Sequence, residues 1–275
     1  MRKTWVVCAF AFLLLVPLQA PAQMTAEEIA EREKWEKFLE EAVITAESQP
    51  WKGGEAVTNP YEVTLEKDGV VRKAVWKDCQ GMMKGYLESW KWEIAAYRLD
   101  KHLGLNMVPP TVEKKKGGRT GSCQIYAGVM DFKEKFDKKI ETPTLRVANL
   151  TLAIYLQRAF DNLICNEDRH QQNYRLTEDF RLLLIDHSRS FRTSKASTRN
   201  LLYDEKRKEN PKFIMAQLPR DFVEKLRELD AATLKEVVGE YLTDKEIEAT
   251  MTRRELMLAW LDKRAKELGE TAVLY

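Results

Sequence analysis

The chain has 275 residues, 44% hydrophobic and 32% charged, with a formal net charge of +2. That length and balance suit one large domain or two small lobes with real cores, and they exclude an intrinsically disordered chain. Four cysteines are too few for a disulfide scaffold, and a near-neutral chain is no obvious nucleic-acid binder.

The first segment reads as a separate unit. Arg2 and Lys3 precede an uncharged apolar run from Trp5 to Val16, and Ala20-Pro21-Ala22 places small residues ahead of Gln23. This is the layout of a secretory signal peptide over residues 1–22, and it predicts export to a periplasm, the exterior or a secretory lumen. The run falls short of the ~20 residues a membrane helix needs, which leaves an uncleaved anchor as the alternative. Cleavage removes two basic residues and no acidic ones, taking the formal charge from +2 to 0. Cys79, Cys123 and Cys165 then remain, and one pair of them could bridge in an oxidising compartment. No later stretch is long and apolar enough to span a bilayer.

Residues 23–41 are charged and helix-prone, with Trp35, Phe38 and Leu39 available for docking on the body. Ala42 to Ala46, Tyr61 to Leu65 and Val70 to Lys77 read as strands, the last two joined by the turn Lys67-Asp68-Gly69. Gly53 and Gly54 lie between two of these strands, where a backbone without side chains approaches phosphates closely. A helix is expected over Tyr86 to Leu103, because Trp90, Ile94 and Tyr97 share one face and Gly104 suits the left-handed position after the last turn. Lys114 to Gly121 reads as a basic, glycine-rich turn and Cys123 to Met130 as a strand. Leu145 to Leu163 reads as a buried helix, Asn173 to Ile185 as a tight hairpin, and residues 192–217 as a basic irregular stretch. Three amphipathic helices close the chain, one opening on a capping box of Thr243 and Glu246. A small antiparallel sheet with one helix, followed by a larger helical part, makes an α+β arrangement in two lobes.

The segment richest in chemistry is Asn166-Glu167-Asp168-Arg169-His170-Gln171-Gln172-Asn173, followed by the hairpin and Ile185-Asp186-His187-Ser188. Asp168 and Asn173 have the D-x-x-x-x-N spacing with which a kinase loop supplies a base and a metal ligand. Asp186 ends an apolar strand, where a kinase keeps its second metal-binding acid. Mg2+ prefers hard oxygens such as a carboxylate and an Asn amide, while a separate carboxylate accepts the acceptor's hydroxyl proton. Lys77, at the end of Ala74-Val75-Trp76-Lys77, matches the strand lysine that holds the α and β phosphates, and Glu93 on the following helix is its candidate partner. Cys165, His170 and His187 lack zinc-ligand spacing. Asp161 and Asn166 repeat the loop spacing without the hairpin and read as helix-end structure, and Trp90 and Trp92 read as packing.

The run Trp92-Glu93-Ile94-Ala95-Ala96-Tyr97-Arg98-Leu99-Asp100, continuing through Leu103-Gly104 and Val108-Pro109-Pro110, resembles the helix carrying the lysine's glutamate partner in the secreted Golgi casein kinase family. Asp168-Arg169-His170 is similar to that family's catalytic loop, and to the loops of HipA-type and phosphatidylinositol kinases. The resemblance covers roughly residues 42–195 and implies a two-lobed protein kinase-like fold, with an N-lobe over 42–130 and a C-lobe over 131–275. It also implies ATP, with Mg2+ or Mn2+, and a hydroxyl acceptor on a protein or glycan. Carried over, Lys77 binds phosphate, Glu93 orients it, Asp168 is the catalytic acid-base residue, and Asn173 and Asp186 bind metal. Arg169 is a supporting residue, and His170 is structural or helps to position phosphate. The chain departs from the Golgi pattern in having Asn173, which follows the HipA and lipid-kinase loops, in having His187-Ser188 after Asp186, and in lacking disulfide-rich decoration. Two alternatives stay open: a lipid or small-molecule kinase of the same fold, and a nucleotide-binding pseudokinase. Related to the last is transfer of another group from ATP, such as AMP, which the same residues support if the nucleotide binds reversed.

Overall fold

The computed structural model describes residues 24–48, 58, 60–203 and 215–275. The leader, Gly53 and Gly54, and positions 204–214 of the basic stretch lie outside the described residues. Two short helices, α1 (Ala26–Ala30) and α2 (Arg32–Glu41), open the described chain. They are followed by strands β1 (Val43–Glu47), β2 (Tyr61–Lys67) and β3 (Val70–Lys77). A hairpin of β4 (Gln80–Met83) and β5 (Tyr86–Ser89) precedes helix α3 (Trp90–Leu103), and β6 (Thr111–Lys116) and β7 (Arg119–Ile125) come next. Five of these strands form one antiparallel sheet in the order β1-β2-β3-β7-β6.

Period-two alternation sorts the faces of this sheet. Val63, Leu65, Ala74 and Trp76 are buried together with Phe38 and Leu39 of α2, Val112 and Cys123, which makes a small core above the sheet. Lys77 follows Trp76 and therefore points to the opposite face. Asp68 and Gly69 both have positive φ, the two-residue geometry whose twist matches a tight hairpin between β2 and β3.

The second half adds β8 (Met130–Asp131), α4 (Phe132–Asp137), α5 (Thr144–Ile164), a single 3-10 turn over Gln171–Asn173, β9 (Tyr174–Leu176) and β10 (Leu182–Leu184). Helices α6 (Arg220–Glu228), α7 (Ala231–Val238) and α8 (Asp244–Leu268) close it, and α8 carries the expected capping box. A large core joins Phe160, Leu163 and Ile164 of α5 to Leu184, Leu226, Leu234 and Met257, and Ile94, Leu99 and Leu103 of α3 belong to it. Among the described residues no helix is long and apolar enough to cross a membrane.

The fold is the α+β, two-lobed arrangement expected, with four local corrections. Tyr86–Ser89 is a strand and not the first turn of a helix: the Ser89 hydroxyl accepts from the Lys91 amide, and helical geometry starts at Trp90. Lys114–Lys116 and Arg119–Gly121 are paired strand, so the basic turn shrinks to Gly117-Gly118. The strand expected to run to Met130 stops at Ile125. The N-terminal end of α5 is not buried, with Leu145 91% exposed. Cys79, Cys123 and Cys165 are all buried free thiols and no pair of them bridges.

Candidate functional site

Lys77 ends β3 on the face away from α2, and its position is set by close strand packing. At Gly121 on the neighbouring β7, a Cβ would run into the Lys77 carbonyl, so the strands come this near only because that residue has no side chain. The Lys77 amine donates to Glu93 Oε1 at 2.6 Å and to Asp186 Oδ1 at 2.8 Å. Burial works to lower the Lys77 pKa, but the Asp186 and Glu93 carboxylates outweigh it and hold the amine well above its ordinary value. Burial likewise pushes Glu93 upward, and the Lys77 charge and the bond from His187 reverse that and keep it ionised. Glu93 Oε2 accepts the backbone N–H of His187 at 2.9 Å, so this one carboxylate engages both lobes.

Asp186 follows the apolar strand β10 and adopts a left-handed backbone, φ 60°, which turns its side chain back toward Lys77. Asp tolerates this region better than most residues. Burial opposes its charge, yet the Lys77 amine holds its pKa low, and the Ser188 hydroxyl donates to Oδ1 at 2.9 Å.

Arg169 fixes the loop from below. Its side chain is fully buried and forked onto Asp161, with Nε and Nη2 donating at 2.9 and 3.0 Å. Its Nη1 donates to the carbonyls of Asn173 and Ile185, both at 2.8 Å, so one guanidinium sets the backbone at both candidate metal ligands. Nη2 also lies 3.0 Å from His187 Nε2. Burial lowers the His187 pKa and keeps the ring neutral, and an Nε2 that accepts from Arg169 leaves the proton on Nδ1, toward Glu93. His170 is exposed, and its Nδ1 accepts the Gln172 amide at 3.3 Å, capping the 3-10 turn. Asp168 takes the Asn166 side chain on its amide at 3.0 Å, and its carboxylate is 27% exposed. Burial raises its pKa, partly offset by the Arg189 charge.

Sequence reasoning missed Arg189 and Glu88. Arg189 donates from Nε to Glu88 Oε1 at 2.8 Å and from Nη1 to Asp168 Oδ1 at 2.9 Å. It also underrated Asp161, whose carboxylate anchors the whole loop through Arg169. An acid eight residues before the loop arginine, on the last turn of a helix, was the available signal.

No family model matches the chain, and no curated protein matches it. Among solved structures, hydra Fam20 with sugar is similar at a TM-score of 0.64 and 15% identity, covering 94% of this chain and 95% of that one. The Helicobacter pylori proinflammatory kinase CtkA aligns at a TM-score of 0.45 and 13% identity, over 85% and 96% of the two chains. The chain has the protein kinase-like fold.

That fold places a strand lysine, a helix glutamate, a loop base and a strand-end acid around one nucleotide, with divalent metal on the phosphates. The donor set fits such a metal. The Asn173 Nδ2 is committed to the Asp168 carbonyl at 2.8 Å, which directs the amide oxygen Oδ1 away as a hard ligand. Among the described residues no group of three or more His, Cys, Asp or Glu could hold a metal by itself. One Asp and one Asn suit a Mg2+-like ion that completes its shell with water and phosphate oxygens.

Proposed function

We propose that the chain is an exported ATP-dependent phosphotransferase that moves the γ-phosphate to a hydroxyl of a protein or glycan. The observation that carries this reading is the meeting of Lys77, Glu93 and Asp186 within 2.6 and 2.8 Å from a strand, a helix and the loop after β10. The two carboxylates hold the Lys77 amine charged and fixed in place, and once a divalent metal offsets the Asp186 charge that amine is free to turn part of its coordination to a polyphosphate. Asp186 and Asn173 would hold Mg2+ or Mn2+, which would supply the positive charge that offsets the phosphates. Asp168, half-buried at the loop, is the carboxylate left to accept the acceptor's proton. Arg169 keeps Asn173 and Asp186 in register through their backbones. The sugar in the hydra Fam20 structure makes a glycan the acceptor to try first.

The test uses the chain from Gln23 onward with γ-labelled ATP and either metal, beside Asp186→Ala. Label on protein or glycan, or loss of ATP, that vanishes in the variant is the expected result. Tight nucleotide binding with neither label nor ATP loss would replace the enzyme with a nucleotide-binding module, and label on lipid alone would move the acceptor class.

A further inference from the structure

Arg189 lies three residues past Asp186 and makes contacts on three sides. Its guanidinium carbon sits 3.9 Å from the centre of the Tyr86 ring. Its Nε donates to Glu88, a residue 1% exposed, and its Nη1 donates to Asp168. The backbone adds a further tie, because the Ser89 amide donates to the Ser188 carbonyl at 2.9 Å. Tyr86 and Glu88 both belong to β5, the second strand of the hairpin between the lysine strand and the glutamate helix. That hairpin therefore reaches the acceptor's base through one arginine.

We infer that Arg189 is a positioning residue for Asp168, held in place by Glu88 and Tyr86, and that the β4–β5 hairpin is part of the catalytic apparatus. This inference rests on the phosphotransferase reading. Three features of the geometry support it. A carboxylate bonded at Oδ1 by a fixed guanidinium cannot rotate freely, which leaves Oδ2 as the oxygen available to an incoming hydroxyl. A guanidinium forked between two carboxylates and stacked on a ring has lost its own freedom in advance, so it holds Asp168 without ordering during reaction. Glu88 serves no other cation among the described residues, and burying it 1% exposed is costly unless that ion pair forms. The contacts of Arg189 join the segment that carries Lys77 and Glu93 to the loop that carries Asp168, so the base is aligned when the nucleotide side is in place.

Positioning acts on turnover more than on nucleotide affinity. ATP turnover by the chain from Gln23 onward is measured for wild type, Arg189→Ala, Arg189→Lys and Glu88→Gln, with ATP loss as the readout so that no acceptor need be known. Arg189→Ala is expected to lose on the order of 100-fold in kcat with the KM for ATP little changed. Added guanidinium ion should restore part of that loss, which it would not do for a merely structural defect. Arg189→Lys keeps the charge without the fork and should fall between, and Glu88→Gln should lose about tenfold. Should Arg189→Ala fail to fold, Arg189→Lys decides: wild-type kcat in that variant overturns the inference. An active wild type matched by Arg189→Ala, or a loss in which KM rises as far as kcat falls without rescue by guanidinium, also overturns it and leaves the phosphotransferase reading standing. A wild type that turns over no ATP overturns both.

Discussion

Asp100 is fully buried, and its Oδ1 accepts the amides of Met107 and Val108 at 2.9 and 3.2 Å, clamping the chain as it leaves α3. Its Oδ2 has no partner. Burial pushes its pKa up to about 7, against the two amides and the Arg32 charge. An unfolded Asp titrates near ~3.9, so between that value and about 7 the folded chain holds a proton that the unfolded chain has released. The associated stability is complete at low pH and is lost as pH rises through about 7. Thermal midpoints taken from pH 5 to pH 8 should therefore fall in wild type relative to Asp100→Asn, which keeps the Oδ1 acceptor and cannot ionise. Parallel curves for the two proteins would show that Asp100 does not titrate in this range. Residues of this kind were partly legible in the sequence. Asp168, Asn173 and Asp186 could be singled out as candidates because their spacing is local. The bond from Arg189 to Glu88 could not, because nothing local relates two residues on opposite sides of the site.

At the scale of elements, Lys114 shows how α2 is held on the sheet. Its amine is buried and donates to the carbonyls of Leu39, Glu40 and Ala42 at 2.7, 3.1 and 2.8 Å. These are the orphan acceptors at the end of α2, where a cation also meets the negative end of the helix dipole. Burial lowers the Lys114 pKa, so the amine is more easily neutralised than an exposed lysine. Lys114→Met keeps the stem and deletes the donors, and it should cost about 2–3 kcal/mol. Denaturant unfolding reads that loss, and amide exchange should show it concentrated in α2. Unchanged protection of the α2 amides would mean that Phe38 and Leu39 alone hold the helix down. The sequence displayed α2 through its apolar residues, but Lys114 looked like one of several basic residues in a turn. The β4–β5 hairpin was hidden for a related reason: Tyr86-Leu87-Glu88 continues the composition of α3, and only the Ser89 cap marks where helix begins.

At the scale of the whole molecule, α3 decides how the lobes act together. It lies between strands in the sequence, yet Ile94, Leu99 and Leu103 pack into the large helical core. The Trp92 indole donates to Glu246 of α8 at 2.8 Å, and Arg98 pairs with Glu240 at 2.9 Å. A kinase whose glutamate helix swings free can be switched by moving that helix. Here the helix is anchored to the larger core, so Glu93 stays in reach of Lys77, and on the proposed function the nucleotide site would be formed before nucleotide arrives. Order of elements made two lobes visible in the sequence, whereas the core that α3 joins depends on contacts with residues more than 100 positions away. Binding should then stabilise the molecule as one unit. ATP with Mn2+ at about a hundred times its Kd adds ~2.7 kcal/mol, which for a chain of this length raises the thermal midpoint by several degrees. Scanning calorimetry should show a single transition that moves as a whole, and Lys77→Met should abolish the shift. Two transitions of which only one moves with nucleotide would mean that α3 does not couple the lobes, and that Glu93 is free to leave Lys77 after all.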